Sequence, residues 1–300
     1  MLEFKPIDIS DKAWISPLIR CENCRSADAA FGTMYLWSAG KTRYVARSHD
    51  RVVLMRSHDE TVFLFPFGCG SIVPVINDLK AYCDAIGKPL ILVGVPEHYV
   101  PLLNKLFPGD FKIDEDTRFA DYVYSAEKLA TLTGKELHAK RNHINSFIRS
   151  YDWRFEPMKK EHIPKCIEVL EQWREADPDH IELDVYDEYD TLLRGLREFD
   201  KLGLYGGILW ANGELVAFTM GEPLSDDTFV AHFEKAVADI RGAYPMINRE
   251  FVRYIMATFP EIKYINREDD MGMENIRKAK QSYHPVMMIP KYTAVWGKNE

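Results

Sequence analysis

The stretch LYGGILWANGELVAFTMGEP, residues 204–223, decides the fold of this chain. It consists of two apolar runs, 204–210 and 214–223, joined through Asn212 and Gly213. Asn-Gly between two apolar runs is the strongest short-range signal for a β-hairpin, because both residues tolerate the positive φ angles of a type I′ turn. Residues 228–236 form a third run of strand type. We therefore predict a three-stranded antiparallel meander over 204–236.

The elements around this meander occur twice along the chain, in the same order. The second half is predicted to contain strands at 155–158, 204–210, 214–223, 228–236, 262–266 and 286–292, with helices at 163–175 and 185–199, one beginning at Pro245 and one ending at Tyr283. The first half is predicted to contain a strand near Phe4, strands at 43–47, 51–57, 61–65, 90–95 and 121–124, and helices at 14–21, 29–38, 72–86 and 96–107.

This repeated order predicts an α+β chain of two domains. We place an N-terminal domain at residues 1–124 and a C-terminal domain at 153–300. Residues 125–152 between them are predicted to form one basic, amphipathic linking helix. Its basic residues are candidates to receive a tRNA, a CoA phosphate or a lipid headgroup, although a run of charges on a helix is usually a solvated face.

Composition and charge narrow the class of protein. The chain has 46% hydrophobic residues and a net charge of -8, which argues against a protein that coats DNA or an anionic membrane. It shows neither a secretion signal nor an apolar run long enough to cross a bilayer. Its five cysteines are irregularly spaced, and Cys21-x-x-Cys24 lacks a second ligand pair for zinc. We therefore expect reduced thiols, no metal site and a cytoplasmic location. The oligomeric state does not follow from the sequence.

The order of elements resembles the Gcn5-related N-acetyltransferase (GNAT) fold, and two such domains in tandem resemble the Fem-type aminoacyltransferases. Four sequence motifs are similar to the bacterial DUF2156 family, which is related to the soluble C-terminal domain of phosphatidylglycerol lysyltransferase: KRNHIN at 140–145, RGAY at 241–244, NREDDMG at 266–272 and Lys280-x-x-Tyr283-x-Pro285. The resemblance implies tandem GNAT-like domains with mixed, mostly antiparallel sheets flanked by helices.

The resemblance also implies a function. An acyl or aminoacyl group would pass from acyl-CoA or aminoacyl-tRNA to an amine or hydroxyl acceptor, with no covalently bound cofactor. A lipid acceptor is less expected, because we find no membrane segment. The alternative is a non-catalytic module that uses its cleft to sense a nucleotide or an amino-acid metabolite, since fold alone does not establish function.

The closing helix carries candidate catalytic residues. Ile276, Ala279, Lys280 and Tyr283 fall on one face, and a lysine seldom packs inward without a partner. Lys280 is therefore predicted to face inward toward a carboxylate among residues 268–270. Otherwise Lys280 reaches solvent and the acidic residues cap the helix. By resemblance, Tyr283 would protonate the leaving group.

Three carboxylates are candidate general bases. Glu234 shares one face of its predicted strand with His232, and either side chain could deprotonate an incoming amine unless this face is solvated. Glu268 and Asp269 follow the end of the predicted strand 262–266.

Candidate donor-binding residues come from the four motifs. By resemblance, the loop at 239–244 would hold a diphosphate, but Asp239 and Tyr244 replace the residues usual there, which counts against acyl-CoA in this half. In the first half, the glycines at 68–71 fit either an anion site or a tight turn. The full set of candidate donor-binding residues is Arg141, Asn145, Arg241, Gly242, Tyr244, Asn266 and Lys280.

Overall fold

The structure is a computed structural model that describes residues 2–39, 42–56, 61–176 and 188–297. The strands in these ranges are β1 Lys5–Pro6, β2 Tyr44–Ser48, β3 Arg51–Met55, β4 Val62–Leu64, β5 Ile91–Pro96, β6 Phe111–Glu115, β7 Asp121–Ser125, β8 Trp153–Pro157, β9 Tyr205–Ala211, β10 Glu214–Pro223, β11 Thr228–Ala236, β12 Tyr264–Asn266, β13 Met287–Ile289 and β14 Lys291–Trp296. The α-helices are α1 Lys12–Arg20, α2 Phe31–Leu36, α3 Val73–Ala85, α4 Val100–Leu106, α5 Ala126–Thr131, α6 His138–Ser150, α7 Ile163–Ala176, α8 Glu188–Arg197, α9 Phe199–Leu202, α10 Ala243–Thr258 and α11 Glu274–Gln281.

The strands form two mixed sheets of seven strands each. The first has the order β1-β2-β3-β4-β5-β14-β6, and the second has the order β13-β7-β12-β11-β10-β9-β8. Neighbouring strands are antiparallel except for β4 with β5 and β11 with β12. The predicted hairpin is confirmed, since Asn212 and Gly213 have φ angles of 52° and 87° between β9 and β10. The predicted α+β class with mixed, mostly antiparallel sheets is also confirmed.

Each sheet contains one strand from the other half of the chain. β7 lies between β12 and β13 in the second sheet, and β14 lies between β5 and β6 in the first. The single strand predicted at 286–292 is wrong, because Pro290 separates β13 from β14 and the chain changes sheets there. The boundaries predicted at residues 124 and 153 therefore do not separate the strands of one sheet from those of the other.

The segment predicted as one linking helix consists of two helices. Leu132 ends α5 in the left-handed conformation, and α6 begins only at His138. Strand β6, in which Lys112, Asp114 and Glu115 are exposed, was not predicted. Of the helix predicted at 185–199, residues 185–187 lie outside the described residues.

The two halves also share a core. Arg194 of α8 donates hydrogen bonds to the Tyr35 carbonyl (3.2 Å) and the Ser38 hydroxyl (2.7 Å) at the end of α2. Trp37 packs near Phe233 of β11, with ring centroids 6.3 Å apart. Apolar residues of both halves belong to one buried cluster. Contacts between the halves therefore fix the positions of the two sheets relative to each other.

The expectation that all five cysteines are reduced is wrong for two of them. Cys21 and Cys69 form a disulfide, with Cα atoms 5.3 Å apart. Cys21 is therefore not available for a zinc site with Cys24. Burial raises the pKa of the Cys24 thiol to about 12.

Candidate functional site

A cavity of about 610 Å³ lies between the two sheets. It opens where β11 and β12 separate, because these strands pair only at Thr228–Val230 and residues 264–266. Beyond that point β11 continues to Ala236, while the chain after β12 turns into a loop, residues 267–273, and then α11. The first sheet and the adjoining helix α2 supply an apolar wall, which includes Met34, Trp37, Leu54, Leu64, Val93 and Tyr292.

Asn266 sets the course of the loop. Its Oδ1 accepts a hydrogen bond from the Glu268 amide (2.7 Å), and its Nδ2 donates to the Arg25 carbonyl (2.6 Å) and to Asp121 Oδ2 (3.0 Å). These bonds accompany a left-handed Glu268, with φ 58°. Asn266 is fully buried, so the structure places this predicted donor-binding residue beneath the cavity wall.

Glu268 is oriented by a buried histidine. His232 Nδ1 lies 2.8 Å from Glu268 Oε1, and its Nε2 lies 3.2 Å from Glu222 Oε1, which also accepts a hydrogen bond from the Gly32 amide. Burial opposes a charged imidazole, but the two carboxylates outweigh it and raise the pKa of His232 to about 9. His232 is therefore an imidazolium at neutral pH. His232 contacts Glu268 in this form, and a protonated imidazole lacks the free lone pair that a general base needs.

Asp269 can exchange a proton near neutral pH. Burial raises the pKa of its carboxyl to about 6, against the opposing effect of the Lys291 ammonium, whose Nζ lies 3.9 Å from Asp269 Oδ2. Lys291 is itself held by Asp121 (2.8 Å) and Asp28 (3.1 Å). Lys291 was not predicted as a site residue, because it enters the cavity only through the exchange of β14 into the first sheet.

Lys280 faces inward, as predicted, but among the described residues it forms no ion pair with a carboxylate. Its Nζ donates hydrogen bonds to the backbone carbonyls of Arg267 (2.6 Å) and Asp269. Burial lowers the pKa of Lys280, although Asp269 and Glu268 act in the opposite direction. Lys280 thus fixes the loop that carries the candidate bases.

Glu234 and Tyr283 belong to a second group of contacts. Glu234 Oε1 accepts from Arg267 Nη2 (3.1 Å), and its Oε2 accepts from Asn248 Nδ2 (2.9 Å). The Arg267 guanidinium lies 4.9 Å from the centroid of the Tyr283 ring, and Lys140 Nζ lies 4.0 Å from it. Burial raises the pKa of Tyr283 strongly, so its phenol keeps its proton at all ordinary pH values.

Several predicted donor-binding residues lie elsewhere. Arg141 donates to the carbonyls of Leu132 and Gly134 (2.6 Å to Gly134) and so closes the turn between α5 and α6. Its neighbour Lys140 lines the cavity instead. The described part of the cavity wall includes Tyr244 but not the following predicted residues: Arg141, Asn145, Arg241, Gly242 and Asn266.

The chain's own groups occupy the first of the two places where a GNAT-like domain would seat a diphosphate, and α6 packs close to the second. In the first half, the Gly68 amide donates to Glu22 Oε1 (3.0 Å), and Arg51 and Tyr99 bind the same carboxylate. In the second half, the N-terminus of α10 packs on α6 so closely that a Cβ on Gly242 would lie 2.6 Å from the His143 carbonyl oxygen. Position 242 therefore requires glycine, which has no Cβ. The glycines at 68–71 form a turn around Glu22.

Two further findings concern the described ranges alone. Their histidine, cysteine, aspartate and glutamate side chains form no group of three or more that suits a metal ion. Their helices include none of the length and apolar character needed to cross a membrane.

Two sheets, each with a meander followed by a parallel strand, and a cavity between them define a tandem GNAT-like protein. Comparison with known proteins agrees. The family model described as phosphatidylglycerol lysyltransferase, C-terminal, matches residues 23–295, and the chain belongs to that family. The predicted family is thus confirmed.

Solved structures extend the comparison. A conserved protein of unknown function from Bacteroides thetaiotaomicron is 35% identical, covers 99% of this chain and 100% of its own, and has a TM-score of 0.93. L-PGS from Bacillus licheniformis is 15% identical, with 99% and 93% coverage and a TM-score of 0.63. A tandem GNAT protein from the clavulanic acid biosynthesis pathway (13% identical, 100% and 100% coverage, TM-score 0.51) and FemX (8% identical, 97% and 96% coverage, TM-score 0.61) share the fold.

A sequence relative is also similar over part of its length. An uncharacterized protein from Mycoplasmoides gallisepticum is 26% identical over 184 residues, which are 57% of this chain. The match spans about half, 54%, of that protein.

Proposed function

We propose that this chain transfers an aminoacyl group from aminoacyl-tRNA to an amine or hydroxyl acceptor, and that the reaction takes place in the cavity between the sheets. One observation favours the RNA ester over acyl-CoA as donor. Glu22 fills the anion position of the first half, and α6 packs against Gly242 at the N-terminus of α10 in the second. The diphosphate of an acyl-CoA would have to displace Glu22 in the first half or fit beside α6 in the second, whereas an aminoacyl ester needs neither position.

Membership of a family described as a lysyltransferase supports the same class of reaction. The cavity also adjoins the basic helix α6, which contributes Lys140 to the wall. A lysine in the cavity wall favours an RNA end, since Lys and Arg neutralise phosphates.

The proposed chemistry uses three side chains. Asp269 accepts a proton from the acceptor amine or hydroxyl, because a base with a pKa near the working pH is the most effective. The freed lone pair attacks the ester carbonyl, and Glu268, held by His232, orients the acceptor. Tyr283 then donates its proton to the ribose oxygen that departs.

The separation of the strands supplies the rest of the site. β11 has no ladder partner in β12 beyond Val230. Backbone N–H groups that a neighbouring strand would otherwise engage can then stabilise the developing oxyanion, a contribution that is often the largest single term in acyl transfer.

Discharge of aminoacyl-tRNA tests the proposal. A pool of tRNA charged with labelled amino acids is incubated with the chain, with a mixture of small amines, and separately with phosphatidylglycerol vesicles. We expect loss of label from tRNA faster than spontaneous hydrolysis and its appearance in one acceptor. Asp269→Asn should slow discharge at least about a hundredfold, while Asp114→Asn, at an exposed site, should not.

Unchanged discharge by the Asp269→Asn variant would reject the assigned base. Binding of aminoacyl-tRNA without any discharge would instead fit a non-catalytic binding module.

A further inference from the structure

The ring of Tyr283 is contacted by two cations that share one carboxylate. Lys140 Nζ and the Arg267 guanidinium lie 4.0 and 4.9 Å from the ring centroid. Glu234 pairs with Arg267, and the charged groups that act on Lys140 are Arg267, which opposes its protonation, and Glu234, which favours it. Two positive charges and one negative charge leave this cluster with an excess of one positive charge.

Glu234 carries a single negative charge, and its ion pair is with Arg267. One of its oxygens accepts from Arg267 Nη2 and the other from Asn248 Nδ2. Among the described residues, no carboxylate forms an ion pair with Lys140. Burial, the largest effect on Lys140, lowers its pKa, and leaving a buried cation without a counter-charge is costly.

Arg267 also carries an unused donor. Its Nη1 is buried and has no hydrogen-bond partner among the described residues. Buried charged donors in native structures almost always have a partner, so each exception calls for an explanation. Arg267, Lys140 and Tyr283 all line the same cavity. A ligand that enters it can therefore supply the missing acceptor.

We propose that Lys140 and Arg267, on the ring of Tyr283, bind a singly charged oxyanion, a carboxylate or a phosphodiester, on the molecule that enters the cavity. The excess of one positive charge matches a monoanion better than a phosphate monoester, which carries nearly two negative charges at neutral pH. The anion subsite deepens the proposed function, and only the role of the bound molecule as a transfer substrate rests on that function. A substrate bound in this way carries an anionic group close to the reacting atoms.

Titration with small anions at constant ionic strength tests the site without any transfer assay. The chain is labelled with ¹³C-lysine and titrated with acetate, with dimethyl phosphate and with neutral acetamide, and the Lys140 side-chain resonance is followed by NMR. We expect a saturable shift at Lys140 with at least one of the two anions and none with acetamide. Exposed Lys135 should not show a saturable shift. The responding anion identifies a carboxylate or a phosphodiester.

Two variants sharpen the test. Lys140→Met should weaken binding roughly tenfold or more, as followed by the Tyr283 ring resonance, and Lys140→Arg should retain it because the charge is kept. Equal responses to acetamide and the anions, or no saturable shift with either anion, would overturn the proposal. If the chain transferred aminoacyl groups without binding either anion, the anion subsite alone would be rejected. If it bound an anion without transfer, the subsite would stand and the proposed function would be rejected.

Discussion

Replacing Asp269 with asparagine is expected to stabilise the fold at neutral pH. The carboxyl pKa rises from its ordinary 3.8 to about 6 in the folded chain, chiefly through burial. The unfolded chain therefore releases this proton first, and the ionised carboxylate destabilises the folded state. At 1.36 kcal/mol for each pKa unit, the cost at pH 7 is up to about 3 kcal/mol. Asparagine removes the charge, and its side-chain oxygen can still accept the Met271 amide that Asp269 binds at 2.9 Å.

The sign of this effect fixes its pH dependence. Below pH 3.8 Asp269 is protonated in both the folded and the unfolded chain, so it does not change the free energy of unfolding. Between pH 3.8 and about 6 the free energy of unfolding of the wild type falls. Above about pH 6 the loss is complete. Urea denaturation at pH 4 and pH 7 measures it. Asp269→Asn should gain up to about 3 kcal/mol over wild type at pH 7 and little at pH 4, while Asp114→Asn should gain nothing at either. An asparagine variant no more stable than wild type at pH 7 would show that the folded state does not disfavour this charge.

Three further outcomes are expected. The pKa of His232 rises from 6.5 to about 9, so this residue contributes up to about 3 kcal/mol to the free energy of unfolding below pH 6.5, and the contribution is lost as the pH approaches 9. Denaturation from pH 6 to 10 should show this loss in wild type and not in His232→Gln. Tyr283→Phe should fold normally but slow single-turnover transfer about 10² to 10⁴-fold, and an unchanged rate would exclude the phenol as acid. Cys69→Ser should cost about 4 kcal/mol by the chain-entropy relation, because the disulfide spans 48 residues, and a reductant should destabilise wild type but not this variant in thermal denaturation.

The order of elements was predictable because each half repeats local signals. The Asn212-Gly213 turn and the apolar runs around it depend only on near neighbours, and they place the meander and the splayed strand β11 correctly. The inward face of α11 followed from helical spacing in the same way, since Ile276, Ala279 and Tyr283 line the cavity.

The parts that failed depend on contacts distant in sequence. Nothing local to Pro290 tells which sheet receives the strand on either side of it, so the entry of Lys291 into the cavity was missed. Sequence alone did not distinguish Lys140 from Arg141, because the distinction depends on how α6 packs. Glu22 lies 46 residues from the Gly68 amide that it binds, and its occupation of an anion position became visible only in three dimensions.

A competition between two donors tests the central proposal most directly. Aminoacyl-tRNA labelled with ¹⁴C in its amino acid and acetyl-CoA labelled with ³H in its acetyl group are supplied together with the chain and the acceptor mixtures. We expect ¹⁴C alone in the product, because Glu22 occupies one position that a CoA diphosphate needs and α6 packs against the other. Incorporation of ³H, with ¹⁴C retained on tRNA, would contradict the account.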